Sequence, residues 1–234
     1  MNGVLLVAGA AGGCGASLLA GALALCWAAA GARPWLLELD LDRGDLAGAW
    51  DLPLDRTIAD LAPVASEVDG GHLRAAAFPH PSGVVLLPGP GRPGACEAWD
   101  APGLARLLDA AAGEGQVVVD AGAGLGRAGR AAAGRAGGVL VVCPPTLAGA
   151  RRARRLLEAL AAAGADGRAA LVAGAAPGRS ELGVRALRRA LGANVAGELP
   201  WAPGEAADLL AGRWSPGRRR PLHLAVERVA EAIG

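Results

Sequence analysis

The residues with the clearest chemical potential form a glycine-rich stretch that follows a short aliphatic run. Residues 9–15 include four glycines, and Ser17 follows them at the start of a predicted helix. Glycines let the backbone approach a phosphate closely, and the amides at a helix start supply a fixed positive end. The stretch therefore predicts a phosphate-binding loop, with a tight strand–helix turn that binds nothing as the alternative.

Two classes of ligand fit this loop on spacing alone. In the first, Gly9, Gly13 and Gly15 resemble the dinucleotide loop of short-chain dehydrogenases, and Asp40 would meet the ribose of NAD(P). Catalysis in that family needs a Tyr-xxx-Lys pair, and this chain contains neither tyrosine nor lysine. The sequence excludes that chemistry and leaves open a non-catalytic NAD(P) binder.

The second class is a nucleoside triphosphate. Residues 11–17, AGGCGAS, resemble the deviant Walker A pattern K-G-G-x-G-K-[ST], with alanine at both lysine positions, Ala11 and Ala16. Ser17 remains in place to bind Mg²⁺ through its hydroxyl. In this interpretation ATP is bound by Gly12, Gly13, Cys14, Gly15, Ala16, Ser17 and Leu18.

Later segments resemble motifs of the MinD/ParA-type ATPases, in the same order. Residues 37–46 are similar to the D-x-D segment that contains Asp40, and the resemblance implies that Asp42 helps to orient the attacking water. Residues 117–122 resemble a Walker B strand that runs into switch II. The resemblance therefore implies that Asp120 holds Mg²⁺ through water, together with Ser17.

Further segments extend the resemblance and point to one branch of this group. Pro200 lies in a segment similar to the turn that borders the nucleotide base, and Gly174 stands in the place of the family's base-reading asparagine. Residues 58–61 and 80–87 are similar to CpaE/TadZ-like proteins and their actinobacterial septum-site-determining relatives. This branch implies a positioning protein for septum-site determination or for pilus and secretion machinery.

The resemblance also implies how such a protein would work. ATP would act as a dimerisation switch for a homodimer whose partners are secretion, pilus or division proteins. Loss of both lysines predicts at most a slow ATPase, because phosphoryl transfer depends on charge neutralisation. Arg43 and Arg127 are the candidates to replace them. The competing hypothesis is a scaffold that binds no nucleotide and acts through protein contacts.

Composition sets limits on the other function classes. The 23 arginines and 22 acidic residues nearly balance, so we expect no sequence-specific nucleic-acid binding. The uncharged stretch from Val4 to Ala32 is too rich in glycine for a membrane span and lacks the cationic start of a signal peptide. We expect a cytoplasmic protein, with peripheral contact at the membrane or cell pole as an option.

Short aliphatic runs alternate with helical stretches along the chain. This alternation predicts an α/β fold: a doubly wound, mostly parallel sheet with helices on both faces, of the P-loop NTPase-like MinD/ParA type. We expect one such domain over residues 1–234, without the N-terminal receiver-like domain that CpaE proteins commonly carry. The predicted strands are Gly3–Ala8, Pro34–Leu39, Val84–Leu87, Gln116–Val119, Gly138–Cys143, Ala169–Ala173 and Asn194–Leu199.

Overall fold

A computed structural model describes residues 3–53, 55–97, 99–175, 180–214 and 220–233. Its strands include all seven predicted runs, with ends that shift by a few residues. One further strand, β3, has only two residues and no periodic signal in the sequence. The strands are β1 (Val4–Gly9), β2 (Trp35–Glu38), β3 (Phe78–Pro79), β4 (Val85–Leu87), β5 (Val117–Ala123), β6 (Ala136–Cys143), β7 (Ala169–Ala173) and β8 (Val195–Glu198).

Helices fill the connections between these strands. They are α1 (Ala16–Ala29), α2 (Leu46–Ala49), α3 (Gly70–Ala76), α4 (Ala101–Glu114), α5 (Arg127–Arg135), α6 (Leu147–Leu160), α7 (Val184–Leu191), α8 (Pro203–Leu210) and α9 (Pro221–Ile233). A 3₁₀ helix covers Ile58–Val64, and a π-helical turn, Ala161–Ala165, extends α6. The sequence gives no sign of α5, because this helix buries only alanine and glycine.

The strands of the described residues form one sheet in the order β3-β4-β2-β5-β1-β6-β7-β8. Every pairing is parallel except the one between β3 and β4. β5 separates β1 from β2, whereas the first two strands are neighbours in the Rossmann dinucleotide fold. The carboxyl ends of β1, β2 and β5 therefore meet at one edge, where ligands bind in open α/β sheets.

Successive residues of the strands pack into two separate hydrophobic cores, one on each face of the sheet. This arrangement confirms the prediction of a doubly wound sheet. Val117 and Val119 pack with α4, α5, α6 and α7 on one face, whereas Val118 packs with α1, α8 and α9 on the other. The uncharged stretch from Val4 to Ala32 is explained by this burial, since it forms the central strand β1 and the inward-facing helix α1. None of the helices described has both the length and the apolar character to cross a bilayer.

Candidate functional site

The glycine-rich loop lies between the end of β1 and the start of α1. Gly13 and Gly15 have positive φ angles of 71° and 95°, which side chains rarely adopt, so glycine is required at both turns. The first hydrogen bond inside α1 runs from the Leu19 amide to the Gly15 carbonyl at 2.9 Å. The amides that precede Leu19 at the helix start are therefore not used by the helix, and they can bind an anion.

Cys14 packs the inside of this loop. Its side chain is buried, and its thiol donates to the Val142 carbonyl at 3.4 Å. A Cβ atom at Gly9 would lie 2.8 Å from the Cys14 sulfur, so Gly9 leaves the space that the thiol fills. Burial raises the pKa of the Cys14 thiol, which disfavours the reactive thiolate. Cys14 can thus serve a ligand only through its backbone.

Gly174, the residue after β7, packs against the backbone of the loop at Cys14. A Cβ atom at this position would lie 2.5 Å from the Cys14 carbonyl oxygen, closer than real Cβ contacts allow. Any larger residue here, including the asparagine that the family resemblance implies at this position, would displace the loop. The close approach gives a physical reason for glycine at position 174 in this chain.

Ser17 and Asp120 meet behind the loop. Asp120 is 1% exposed, and its Oδ1 accepts a hydrogen bond from the Gly122 amide at 2.9 Å. Burial raises the pKa of Asp120, and the Ser17 hydroxyl and the Gly122 amide offset this only in part. Oδ2 has no hydrogen-bond partner among the described residues. A hydroxyl beside a buried carboxylate with a free oxygen fits a hydrated Mg²⁺, which is typically held by few protein ligands.

Asp40 and Asp42 follow β2, but they lie in different places. The chain turns back at Asp40, whose carbonyl accepts the Gly44 amide at 2.8 Å. The Asp40 carboxylate lies against Gly122 and lines the same cavity as the glycine-rich loop. Asp42 lines a neighbouring cleft of about 420 Å³, which Asp40 also borders, and it does not line the loop's cavity. The structure thus brings Asp40 to the loop and does not bring Asp42 there.

A cavity of about 520 Å³ opens in front of the loop. Its far wall is apolar and comes mainly from the segment after β8 and from α8, and Trp201 there is 57% exposed. This volume is typical of small-molecule sites. Every residue predicted to bind the nucleotide lines it: Gly12, Gly13, Cys14, Gly15, Ala16, Ser17, Leu18, Asp40 and Pro200.

Solved structures with this architecture include a ParA family ATPase from Chlorobium tepidum, with a TM-score of 0.84 and 20% identity over 99% of both chains. The cell division ATPase MinD of Pyrococcus furiosus has a TM-score of 0.84 and 19% identity over 100% of this chain and 98% of its own. The septum site-determining protein MinD of Pyrococcus horikoshii, complexed with Mg-ADP, has a TM-score of 0.81 and 19% identity over 98% and 94%. The chain has the MinD/ParA-type fold. No protein-family model and no curated protein sequence matches it.

Within this MinD/ParA-type fold, Arg43 is the one arginine among the described residues that lines the cavity in front of the loop. It lines the cavity, and its guanidinium contacts Asp40 Oδ1 at 3.3 Å and the Ala123 carbonyl at 3.0 Å. Arg127 lines the neighbouring cleft and donates to the carbonyls of Glu97 and Trp99 at 3.3 and 3.1 Å. Of the two arginines predicted to replace the missing lysines, only Arg43 lies at the cavity.

Glu38 is a buried carboxylate to which the sequence analysis gave no role. It is 1% exposed at the end of β2, in register with Asp120 on β5. Its two oxygens accept the amides of Leu46 and Gly89, at 2.9 and 3.0 Å. Burial raises the pKa of Glu38 to about 7, and the Asp120 charge adds to this. Glu38 therefore links the start of α2 to the loop after β4. The sequence signal for this role was an acidic residue inside an aliphatic strand.

Proposed function

We propose that this chain is a MinD/ParA-type positioning protein that binds Mg-ATP weakly and uses it as a dimerisation switch. The observation that carries the proposal is the unpaired, buried Oδ2 of Asp120 beside Ser17, behind a loop whose first helix amides are not used by helix hydrogen bonds. A structural turn alone gives no reason to bury a carboxylate with one oxygen unpaired, because such burial costs free energy.

Different residues of the cavity would bind the phosphates, the base and the Mg²⁺ ion of the nucleotide. The amides of residues 12–17 would bind the β-phosphate, and the apolar wall around Pro200 and Trp201 would accept the base. Ser17 would bind Mg²⁺ directly, and Asp120 would hold it through water. Bound Mg²⁺ would neutralise part of the phosphate charge, as the Walker A lysine does in P-loop proteins that have it.

Hydrolysis in this site is expected to be slow or absent. Ala11 and Ala16 supply no charge to the γ-phosphate, and the ion pair with Asp40 neutralises part of the Arg43 charge. We propose that Asp40, which lines the cavity, is better placed than Asp42 to orient a water. The two alanines also favour the second candidate, a nucleotide-free scaffold that acts through protein contacts.

The proposed cellular role is the positioning of other proteins at the membrane or cell pole. We propose a CpaE/TadZ-like or septum-site role, in which a nucleotide-bound homodimer contacts division, pilus or secretion proteins at the membrane or cell pole. The similar MinD structures, a cell division ATPase and a septum site-determining protein, support this class of role.

Replacement of Ser17 by alanine tests the site. We expect Ser17→Ala to weaken Mg-ATP binding about tenfold, the equivalent of ~1.4 kcal/mol, because Mg²⁺ loses a protein ligand. Binding of ATP in EDTA should change little. Isothermal titration calorimetry measures both, and Ser66→Ala removes an exposed hydroxyl as the matched control. If wild-type protein shows no saturable binding of ATP or ADP at millimolar nucleotide, the scaffold candidate is correct instead.

Replacement of Arg43 tests its role as the remaining cation. We expect Arg43→Ala to weaken ATP binding about tenfold and ADP binding much less, because the added charge of ATP lies at its γ-phosphate. Arg43→Lys should restore part of the loss. Arg127→Ala is the control, since Arg127 lies outside the cavity, and equal losses for the two alanine variants would show that Arg43 has no special place.

A further inference from the structure

Positive charge is concentrated in one part of this nearly neutral chain. Residues 147–191 contain nine of the 23 arginines and only three of the 22 acidic residues. The rest of the chain holds fourteen arginines and nineteen acidic residues, so it is net negative. The asymmetry falls on α6, α7 and their connections, on the face of the sheet that also carries α4 and α5.

The arginines of α6 and α7 form one exposed surface, which we call the arginine face. The two helices pack together, and Arg154 of α6 donates to the Ala190 carbonyl of α7. Six other arginines on these helices are exposed and form no ion pair with any residue that the structure describes. They are Arg151, Arg152, Arg155, Arg185, Arg188 and Arg189.

This arrangement is electrostatically unfavourable on its own. Arg151 and Arg155, like Arg185 and Arg189, are four residues apart on a helix, where like charges repel. The helix dipole favours Arg188 and Arg189 in the last turn of α7, but it gives no reason for Arg151 or Arg185. An anionic partner would relieve the repulsion.

The arginine face adjoins an open edge of the sheet. Arg185, Arg188 and Arg189 line a surface hollow of about 770 Å³ together with residues 192–194, which lead directly into β8. In the described part of the chain, β8 is the end strand and pairs only with β7. It is partly exposed along its whole length, whereas β1 is fully buried. An end strand carries unpaired amides and carbonyls, which can accept another strand.

The chemistry of this region selects a polypeptide as the partner. α6 and α7 contain no aromatic residue that could stack on a nucleic-acid base. Leu147 is their only exposed large apolar residue, which is little to insert into a membrane. A polypeptide can use both features, because its backbone can pair with a strand edge while its carboxylates bind guanidinium groups.

We propose that an extended acidic segment of a partner protein adds a strand to the outer edge of β8, with its carboxylates bound by the arginines of α7. The acidic residues of this segment would lie at the Asn194 end, because Glu198 at the other end of β8 is exposed and repels them. The surface lies at the amino end of β8, away from the nucleotide cavity, so the proposal does not depend on nucleotide binding.

The proposal is tested with a fluorescein-labelled twelve-residue peptide that alternates glutamate and threonine in one half and serine and threonine in the other, measured by fluorescence anisotropy without nucleotide. We expect saturable binding that Arg188→Ala/Arg189→Ala weakens about tenfold. The control Arg106→Ala/Arg130→Ala makes the same charge change on exposed arginines elsewhere and should alter affinity less than about twofold. Circular dichroism checks that both double variants are folded.

Two further probes separate strand addition from plain charge attraction. The same peptide N-methylated at all interior residues keeps its carboxylates but cannot donate backbone hydrogen bonds, so it should bind at least about fivefold more weakly. Equal affinity of the two peptides would overturn the proposal, as would no binding of the unmodified peptide. A duplex DNA or phosphatidylglycerol vesicles that bind more tightly than the peptide, and lose binding in Arg188→Ala/Arg189→Ala, would assign the arginine face to those partners instead.

Discussion

Replacement of Asp120 by asparagine should reduce the Mg²⁺ dependence of nucleotide binding and make the nucleotide-free protein more stable at neutral pH. The two effects have one cause. Asp120 is buried, its pKa is raised by that burial, and its Oδ2 has no partner among the described residues. Without a metal the charge costs stability, and with the metal it supplies affinity.

The size of both effects can be measured. We expect the free energy of unfolding of Asp120→Asn to rise by about 1–2 kcal/mol in denaturant titrations at pH 7.5. Calorimetric titrations should show that Mg²⁺, compared with EDTA, increases the ATP affinity of the variant less than that of wild type. Asp166→Asn makes the same charge change at an exposed position and serves as the control. A variant that is less stable, or that keeps the Mg²⁺ dependence of wild type, would mean that Asp120 is not placed to hold the ion.

Glu38 should make the protein less stable as the pH rises from about 5 to about 7. Below pH 4.5 the carboxyl is protonated in both the folded and the unfolded chain. Above it the unfolded chain ionises first, whereas the folded chain keeps its proton up to the raised pKa of about 7. The folded state then binds more protons, so the free energy of unfolding falls across this window, by about 3 kcal/mol, and is level above it.

The variant Glu38→Gln isolates this contribution. Glutamine resembles the protonated carboxyl, so the difference in unfolding free energy between wild type and variant should follow the titration of Glu38 alone. Asp120, with its raised pKa, acts in the same direction in both proteins, and His80, whose pKa burial lowers, acts in the opposite direction. Denaturant titrations at half-unit steps from pH 5 to 8 test it. Parallel profiles for the two proteins would show that Glu38 does not change its ionisation on folding.

Much of the fold could be predicted because its signals are local. The strands of a parallel sheet are buried on both faces, so β1, β5 and β6 read as continuous aliphatic runs. β3 and α5 were missed for physical reasons: β3 is two residues long, and α5 buries only alanine and glycine. Small residues pack closely without leaving a hydrophobic period in the sequence.

The site was harder to predict, because it depends on where side chains point after the strands end. The glycine-rich loop and Asp120 follow directly from strand boundaries. The turn at Asp40 does not follow from a strand boundary. This turn places Asp40 in the cavity, whereas Asp42 lines only the neighbouring cleft. The buried position of Glu38 depends on amides from Leu46 and Gly89, the second of which is 51 residues away. Such a partner is invisible until the chain is folded.

The place of β1 in the sheet has a consequence for how the protein is made. β1 is central, yet its two partners begin only at Val117 and Ala136. During synthesis the stretch from Val4 to Ala32, without a single charge, must leave the ribosome long before either neighbour exists. β1, which is fully buried in the folded protein, must therefore be shielded from aggregation until β5 and β6 have been made.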